Sequence, residues 1–212
     1  MQKIKNIIFD YGNVIFLLDF PRLKQAFVNL GMQNADAFFS HTTQSQVMDA
    51  LDRGQITTAE FRSAIRQAAG RPELTDEQID DAWSTLLVGV PEGYHALLLQ
   101  LKQQYRTFLL SNNNEIHYQR IMDYLQKAYG MPDNSVFFEK DYYSHLMGMR
   151  KPDTEIFKFV LDTHDLRPQE TLFIDDSPQH IAAAKQLGIQ AQLLKHGDTL
   201  PDLLERINVW KK

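Results

Sequence analysis

The feature that most restricts the fold is how far apart the first two strand-like runs lie. "NIIFD" (6–10) is short, apolar and rich in β-branched residues, the pattern of a strand buried on both faces. The next such run, "YRTFLLS", does not arrive until residues 105–111. Between them, residues 19–88 read as helical throughout. "PRLKQAFVNLG" closes on Gly31 as a C-cap, and "ADAFFS", "SQVMDALDRG" and "TTAEFRSAIRQAAG" follow, punctuated by Gly54 and Gly70. "TDEQIDDAWSTLL" opens with Thr75 and Gln78 in a capping box. From residue 91 the rhythm becomes strand then helix. "PEGYHALLLQLKQQ" is a helix, and "FLLS" leads into the helical "NNEIHYQRIMDYLQKAYG". "SVFF" (135–138) reads as a third strand, and "PDTEIFKFVLDTH" as a helix with Pro152 in its first turn. "TLFIDD" (171–176) and "IQAQLLK" (189–195) are further strands around the helix "PQHIAAAKQLG". Such alternation predicts an α/β fold, a parallel sheet with helices on both faces. The helical block then becomes an insertion lying over it. The expected division is 1–18 and 89–212 for the core, with 19–88 an inserted all-helical cap domain.

Composition removes several function classes. A net charge of −5 without any Lys/Arg-rich run speaks against nucleic acid as a partner. With no cysteine, disulfides, thiolate catalysis and cysteine zinc sites are excluded. The seven histidines show no metal-binding spacing. Lys3 and Lys5 precede an apolar stretch as in a signal peptide, but Asp10 interrupts that stretch and no small-residue cleavage site follows. No apolar run approaches the ~18 residues of a membrane span. The expectation is a cytoplasmic protein with no membrane partner; oligomeric state is not legible.

Asp10 poses the chemical question. A carboxylate ending a buried strand is costly unless a cation or hydrogen bonds meet it. In open parallel sheets ligands bind outside the carboxyl ends of the strands. Asp10, Ser111-Asn112 and Asp175-Asp176 all end strands, and Lys151 in "GMRKPD" precedes a helix. Three carboxylates converging would repel one another; a divalent cation relieves that, and oxygen ligands suit Mg²⁺. Adjacent Asp175 and Asp176 should diverge, one binding metal directly and the other holding a metal-bound water. Metal and Lys151 would then attract a dianion such as phosphate, with Ser111 and backbone N–H groups taking its oxygens. Asp10 becomes a carboxylate nucleophile that forms an aspartyl-phosphate.

The order Asp10, Ser111, Lys151, Asp175-Asp176 resembles the four motifs of the haloacid dehalogenase-like hydrolases, in "IIFDYGNV", "FLLSNNN", "MRKPDTEIF" and "LFIDDSPQHI". The helical insertion resembles the type 1 cap of the first subfamily. The resemblance covers nearly the whole chain and implies a Rossmann-like core. It implies Asp10 as nucleophile and Mg²⁺ ligand, and Gly12 as a metal ligand through its carbonyl. It further implies Ser111 and Asn112 as phosphate holders, and Lys151 as the group orienting Asp10. Asp176 would bind Mg²⁺ directly and Asp175 would act behind it.

One departure matters. Family phosphatases carry an acid/base aspartate two positions after the nucleophile, where this chain has Gly12. Acid/base help is worth roughly 10²–10⁴-fold. Its loss favours an easily expelled leaving group such as an anomeric hydroxyl, hence a sugar 1-phosphate. "DYGNVI" with "GMRKP" is also similar to a bacterial branch that includes glucose-1-phosphate phosphatases. Asp19 could replace the acid, although its place before Pro21 suits a helix cap better. Arg53, at the turn before Gly54, could contact substrate or lie in solvent. His180, four residues after Asp176, could reach the rim of the site, although a place on the helix surface suits it better.

Three rivals stand beside the phosphatase reading. A haloacid dehalogenase-type hydrolase would not need the acidic pair. A sugar phosphomutase would depend on the missing aspartate. A catalytically idle binding protein, or a phospho-receiver, is the third; receivers place their acidic pair first and have no such cap.

Overall fold

The computed structural model describes residues 3–33, 35 and 46–211. The expected helix "ADAFFS" falls, beyond Ala35, outside the described residues. The central sheet has five strands: β1 (Asn6–Phe9), β4 (Arg106–Ser111), β5 (Lys140–Tyr143), β6 (Thr171–Asp175) and β7 (Gln190–Leu193). Their order is β5-β4-β1-β6-β7, and all neighbours run parallel. β1 is therefore central, with β4 and β6 on its two edges.

The apolar strand residues divide by parity, as a pleat requires. Ile7, Phe9, Leu109, Leu172 and Ile174 face α5 (Tyr94–Lys102), α6 (Glu115–Tyr129) and α10 (Leu200–Arg206). Ile8, Phe108, Leu110 and Phe173 face α8 (Thr154–Thr163) and α9 (Pro178–Gln186). Both faces being covered explains why these strands read as continuous apolar runs.

Between residues 19 and 88 the described residues form four helices: α1 (Phe20–Asn29), α2 (Gln46–Asp52), α3 (Thr58–Ala69) and α4 (Asp76–Ser84). They bury a cluster of their own, with Leu23, Phe27, Phe61, Ile65, Ile79 and Trp83, to which α6 adds Ile116. Capping boxes open α3 at Thr57–Glu60 and α4 at Thr75–Gln78. α2 and its following turn dock on α7 (Ser144–Met147). A Cβ on Gly54 would fall well inside contact distance of the His145 carbonyl oxygen, at a φ of +65°. Only glycine suits that turn.

Three local expectations need correction. "SVFF" is not a strand. Phe137 and Phe138 are buried connector residues, and the strand begins at Lys140, paired with Phe108. An apolar run can fill a core without joining a ladder. The stretch 19–88 is not helical throughout: α4 ends at Ser84, and β3 (Leu87–Gly89) pairs antiparallel with β2 (Leu17–Leu18). Pro152 precedes α8 rather than entering it, Asp153 being the N-cap. Among the described residues no helix is long and apolar enough to cross a membrane.

Candidate active site

Parallel order places Asp10, Ser111 and Asp175 side by side at the carboxyl edge of β1, β4 and β6. Lys151 arrives from the loop before α8 and is fully buried. Its Nζ lies 2.7 Å from Asp10 Oδ1 and 2.8 Å from Asp175 Oδ2. The ammonium thus bridges two of the three carboxylates. Asp10 Oδ1 also accepts from the Tyr11 N–H at 2.6 Å, so Asp10 is fixed through that one oxygen.

Asn112 clamps the lysine's backbone. Its Nδ2 donates to the Lys151 carbonyl at 2.8 Å, and its Oδ1 accepts from the Lys151 N–H at 2.9 Å. The side chain expected to hold phosphate is engaged in positioning Lys151. Ser111 Oγ has only a 3.4 Å contact with the Asn112 carbonyl, leaving its hydroxyl available to a ligand.

Asp176 accepts from Asn13 Nδ2 at 2.9 Å, while Asn13 Oδ1 accepts from the Leu18 N–H at 3.1 Å. Asn13, in the left-handed region at φ 55°, so ties the β1 turn to the acidic pair and to β2. Sequence reasoning saw only a turn there; Asn before a strand-like run was the available signal.

His180 corrects an expectation. It is the third residue of α9, and the helix's first turn faces back over the end of β6. Its Nδ1 donates to Asp175, 3.0 Å from Oδ1 and 2.9 Å from Oδ2. The Ser177 N–H adds a 2.8 Å bond to the same carboxylate.

These contacts separate the three carboxyls. Burial pushes Asp175 up, but Lys151 and His180 outweigh it and hold the group at about 2. Asp10 is raised, by burial and then by repulsion from Asp175, against the pull of Lys151. Asp176 is raised by burial, with the Asn13 hydrogen bond opposing. Burial lowers His180, so it adds no cation at neutral pH. Three carboxylates therefore face one ammonium. Asp10, Asp175 and His180 could in principle share an ion, their ligand atoms lying within 4.8 Å of one another. Lys151 already bridges that pair of carboxylates. The set expected from the sequence, Asp10, Asp176 and the Gly12 carbonyl, offers oxygen donors alone, the kind that suits a hard divalent ion.

Above this edge lies a cavity of about 150 Å³. Gly12, Ser111, Asn112, Asn113 and Asn114 line its core side; Phe20, Met48, Asp52 and Trp83 line its cap side. Asn114 joins the two halves. Its Oδ1 accepts from the Trp83 indole at 3.2 Å and from the His117 N–H at 3.1 Å, and its Nδ2 lies 3.4 Å from Asp52 Oδ1. His117 stacks on Trp83, ring centroids 4.6 Å apart, and its Nε2 donates to the Trp83 carbonyl at 2.9 Å. Sequence reasoning missed Asp52, Trp83, Asn113, Asn114 and His117. The run of three asparagines after β4 was their one legible signal.

Asp19 and Arg53 are not among these lining residues. Asp19 is the N-cap of α1, its Oδ1 accepting from the Arg22 N–H at 2.9 Å. Arg53 pairs with Asp49 at 2.9 Å and with Asp153 at 2.7 Å, holding the α2 turn against the loop that carries Lys151. Arg150 reinforces that join through Asp49 at 2.8 Å.

A capped parallel sheet with a lysine-bridged aspartate at the end of its central strand defines a hydrolase of the aspartate-centred kind. The family model of haloacid dehalogenase-like hydrolases matches residues 4–188, and the chain belongs to that family. Among curated proteins it is 34% identical over 187 residues to a D-ribitol-5-phosphate phosphatase from Bacteroides thetaiotaomicron, covering 88% of this chain and 90% of the relative. A solved HAD family enzyme from the same organism, in complex with magnesium and inorganic phosphate, superposes with a TM-score of 0.82 at 37% identity, over 94% of this chain and 98% of that one. A predicted HAD-like family hydrolase from Porphyromonas gingivalis gives 0.86 at 29% identity, over 98% and 99%.

Proposed function

We propose that the chain is a Mg²⁺-dependent phosphatase of small phosphorylated metabolites, sugar phosphates in particular, working through an aspartyl-phosphate on Asp10. The observation that carries this reading is the Asp10–Lys151–Asp175 bridge beneath the cavity between core and cap. Asp10 attacks phosphorus and forms the acyl-phosphate bond as the bond to the substrate's ester oxygen breaks. Water then attacks the phosphoenzyme, releasing inorganic phosphate and restoring the Asp10 carboxylate. Lys151 offsets the charge of the transferring group, and the Ser111 hydroxyl takes one of its oxygens. Asp10, Asp176 and the Gly12 carbonyl would hold Mg²⁺, which would neutralise the remaining negative charge. That a similar enzyme from Bacteroides is solved in complex with magnesium and inorganic phosphate supports Mg²⁺ as the cation and phosphate as the ligand. The boundaries 1–18 with 89–212 and 19–88 are kept as the domain division, supported by the separate apolar cluster of the cap helices.

Two leaving groups compete. Gly12 supplies no proton donor, which favours a sugar 1-phosphate, whose anomeric oxygen leaves readily. The name of the curated relative favours a sugar-alcohol 5-phosphate. Phosphate release from glucose 1-phosphate, glucose 6-phosphate and ribitol 5-phosphate, with Mg²⁺, with chelator and with Asp10→Asn, decides between them. Release that vanishes in both controls establishes the mechanism. A preference for the 1-phosphate establishes the leaving-group argument; a preference for ribitol 5-phosphate replaces it.

A further inference from the structure

We propose that Asp52 and Asn113 together read a hydroxyl on the non-phosphate end of the substrate, and that Asp52 excludes substrates bearing a second anionic group there. This rests on the phosphatase reading and specifies its substrate class: monophosphates whose remaining groups are uncharged and hydroxylated.

Among the described residues that line the cavity, none is lysine or arginine and one, Asp52, is acidic. Asp52 is 9% exposed, so solvent screens it poorly. Arg150 Nη2 approaches Asp52 Oδ2 at 3.5 Å but spends its 2.8 Å bond on Asp49, and it does not line the cavity. A second phosphate or carboxylate in this space would meet Asp52 with no lining cation to receive it. Like charge juxtaposed in a buried site is a strong means of rejection.

Asn113 supplies the complementary demand. It is 5% exposed and lines the same cavity. Its backbone N–H donates to Ser144 Oγ at 2.9 Å and its Oδ1 accepts from the Asn114 N–H at 2.8 Å. Among the described residues its Nδ2 has no hydrogen-bond partner. A buried donor left so costs about 1–3 kcal/mol, which a ligand oxygen would recover. Ammonium groups suit Asp52 but have no acceptor for Asn113. Carboxylates suit Asn113 but are repelled by Asp52. A hydroxyl donates to one and accepts from the other, and satisfies both. Met48, Phe20 and Trp83 leave an apolar wall for the carbon skeleton.

The test uses matched pairs that differ by one CH₂OH-to-carboxylate change: glycerol 3-phosphate against 3-phosphoglycerate, and glucitol 6-phosphate against 6-phosphogluconate. Initial rates with Mg²⁺ give kcat/KM for the wild type, Asp52→Asn, Asp52→Glu and Asn113→Ala. The wild type should prefer the neutral member of at least one pair by tenfold or more. Asp52→Asn should narrow that ratio at least fivefold, mainly through KM, because Asp10 and Lys151 are untouched. Asp52→Glu should keep the ratio while raising KM for both members. Asn113→Ala should raise KM for the neutral member. Melting temperatures within a few degrees of wild type confirm that each variant folds. A wild-type ratio near one, or a ratio unmoved in folded Asp52→Asn, overturns the proposal while leaving the phosphatase reading intact. No Asp10-dependent release from any pair or from the sugar phosphates above overturns that reading, and this inference with it.

Discussion

Asn112 shows how one side chain can matter without touching the reaction. Its two bonds to the Lys151 backbone fix where the lysine enters the site. In Asn112→Leu the amide is gone and a buried carbonyl and N–H lose their partners, at about 1–3 kcal/mol. We expect kcat to fall by ten- to a hundredfold with little change in KM, since the phosphate groups themselves remain; steady-state kinetics on the best substrate checks this. Gly12 offers the complementary experiment. A Cβ there would come 2.7 Å from Leu18 Cδ1, so Leu18 fills the space that an acid two residues after Asp10 would need. Gly12→Asp alone should lose activity. Gly12→Asp with Leu18→Ala should raise the rate on primary-alcohol phosphates, by up to ~10²-fold, while changing sugar 1-phosphate hydrolysis much less. Equal gains on both substrate types would break the link between Gly12 and the leaving group.

At the scale of elements, α4 and α6 meet through the Trp83–His117 stack. His117 is buried, and burial holds it at about 4 against its ordinary 6.5. Between those values the unfolded chain binds a proton that the folded chain refuses. Its contribution is complete above pH 6.5 and is lost as pH falls toward 4, about 2–3 kcal/mol of it by pH 4.5. Urea midpoints at pH 7 and 4.5 should show that loss. His117→Phe, which keeps an aromatic ring against Trp83, should start less stable at pH 7 and lose less on acidification. An unchanged difference between the two pH values would mean that His117 charges without unfolding anything. These same elements mark the limit of what the sequence discloses. β1, β4 and β6 were legible because each is buried on both faces and runs into a polar residue of the candidate site. The pairing of Leu17–Leu18 with Leu87–Gly89 was not, because two short segments far apart in the chain carry no periodicity of their own. Phe137 and Phe138 misled because burial alone resembles a strand. His180 was misplaced because the first turn of a helix faces its preceding strand, whatever the pattern of the later turns. The cavity's Asp52, Trp83 and His117 come together only through tertiary packing.

For the molecule as a whole, the crowding of Asp10, Asp175 and Asp176 around Lys151 makes the metal-free protein carry unbalanced charge in its centre. Mg²⁺ at a hundred times its Kd should stabilise the fold by about 2.7 kcal/mol, a rise in Tm of about 5–10 °C for a chain of this size. Asp176→Asn should melt higher than wild type without Mg²⁺ and should lose most of the Mg²⁺-dependent rise. Calorimetry with and without chelator reads both effects. A full Mg²⁺ shift in Asp176→Asn would move the cation elsewhere in the cluster.

The strand order also sets a schedule. β1 lies between two strands that come much later in the chain, Asn6 pairing with Arg106 on one side and Thr171 on the other. At a synthesis rate of 5–20 residues per second, the second of those partners follows the first strand by roughly 8–33 s. Throughout that interval "NIIF" has one or both edges unpaired and its apolar side chains uncovered. The helices of the cap, made in between, have local contacts and can form while it waits. The strand that leads into Asp10 thus waits longest in the sheet for its second neighbour, and is the one a nascent chain most needs to keep away from its neighbours.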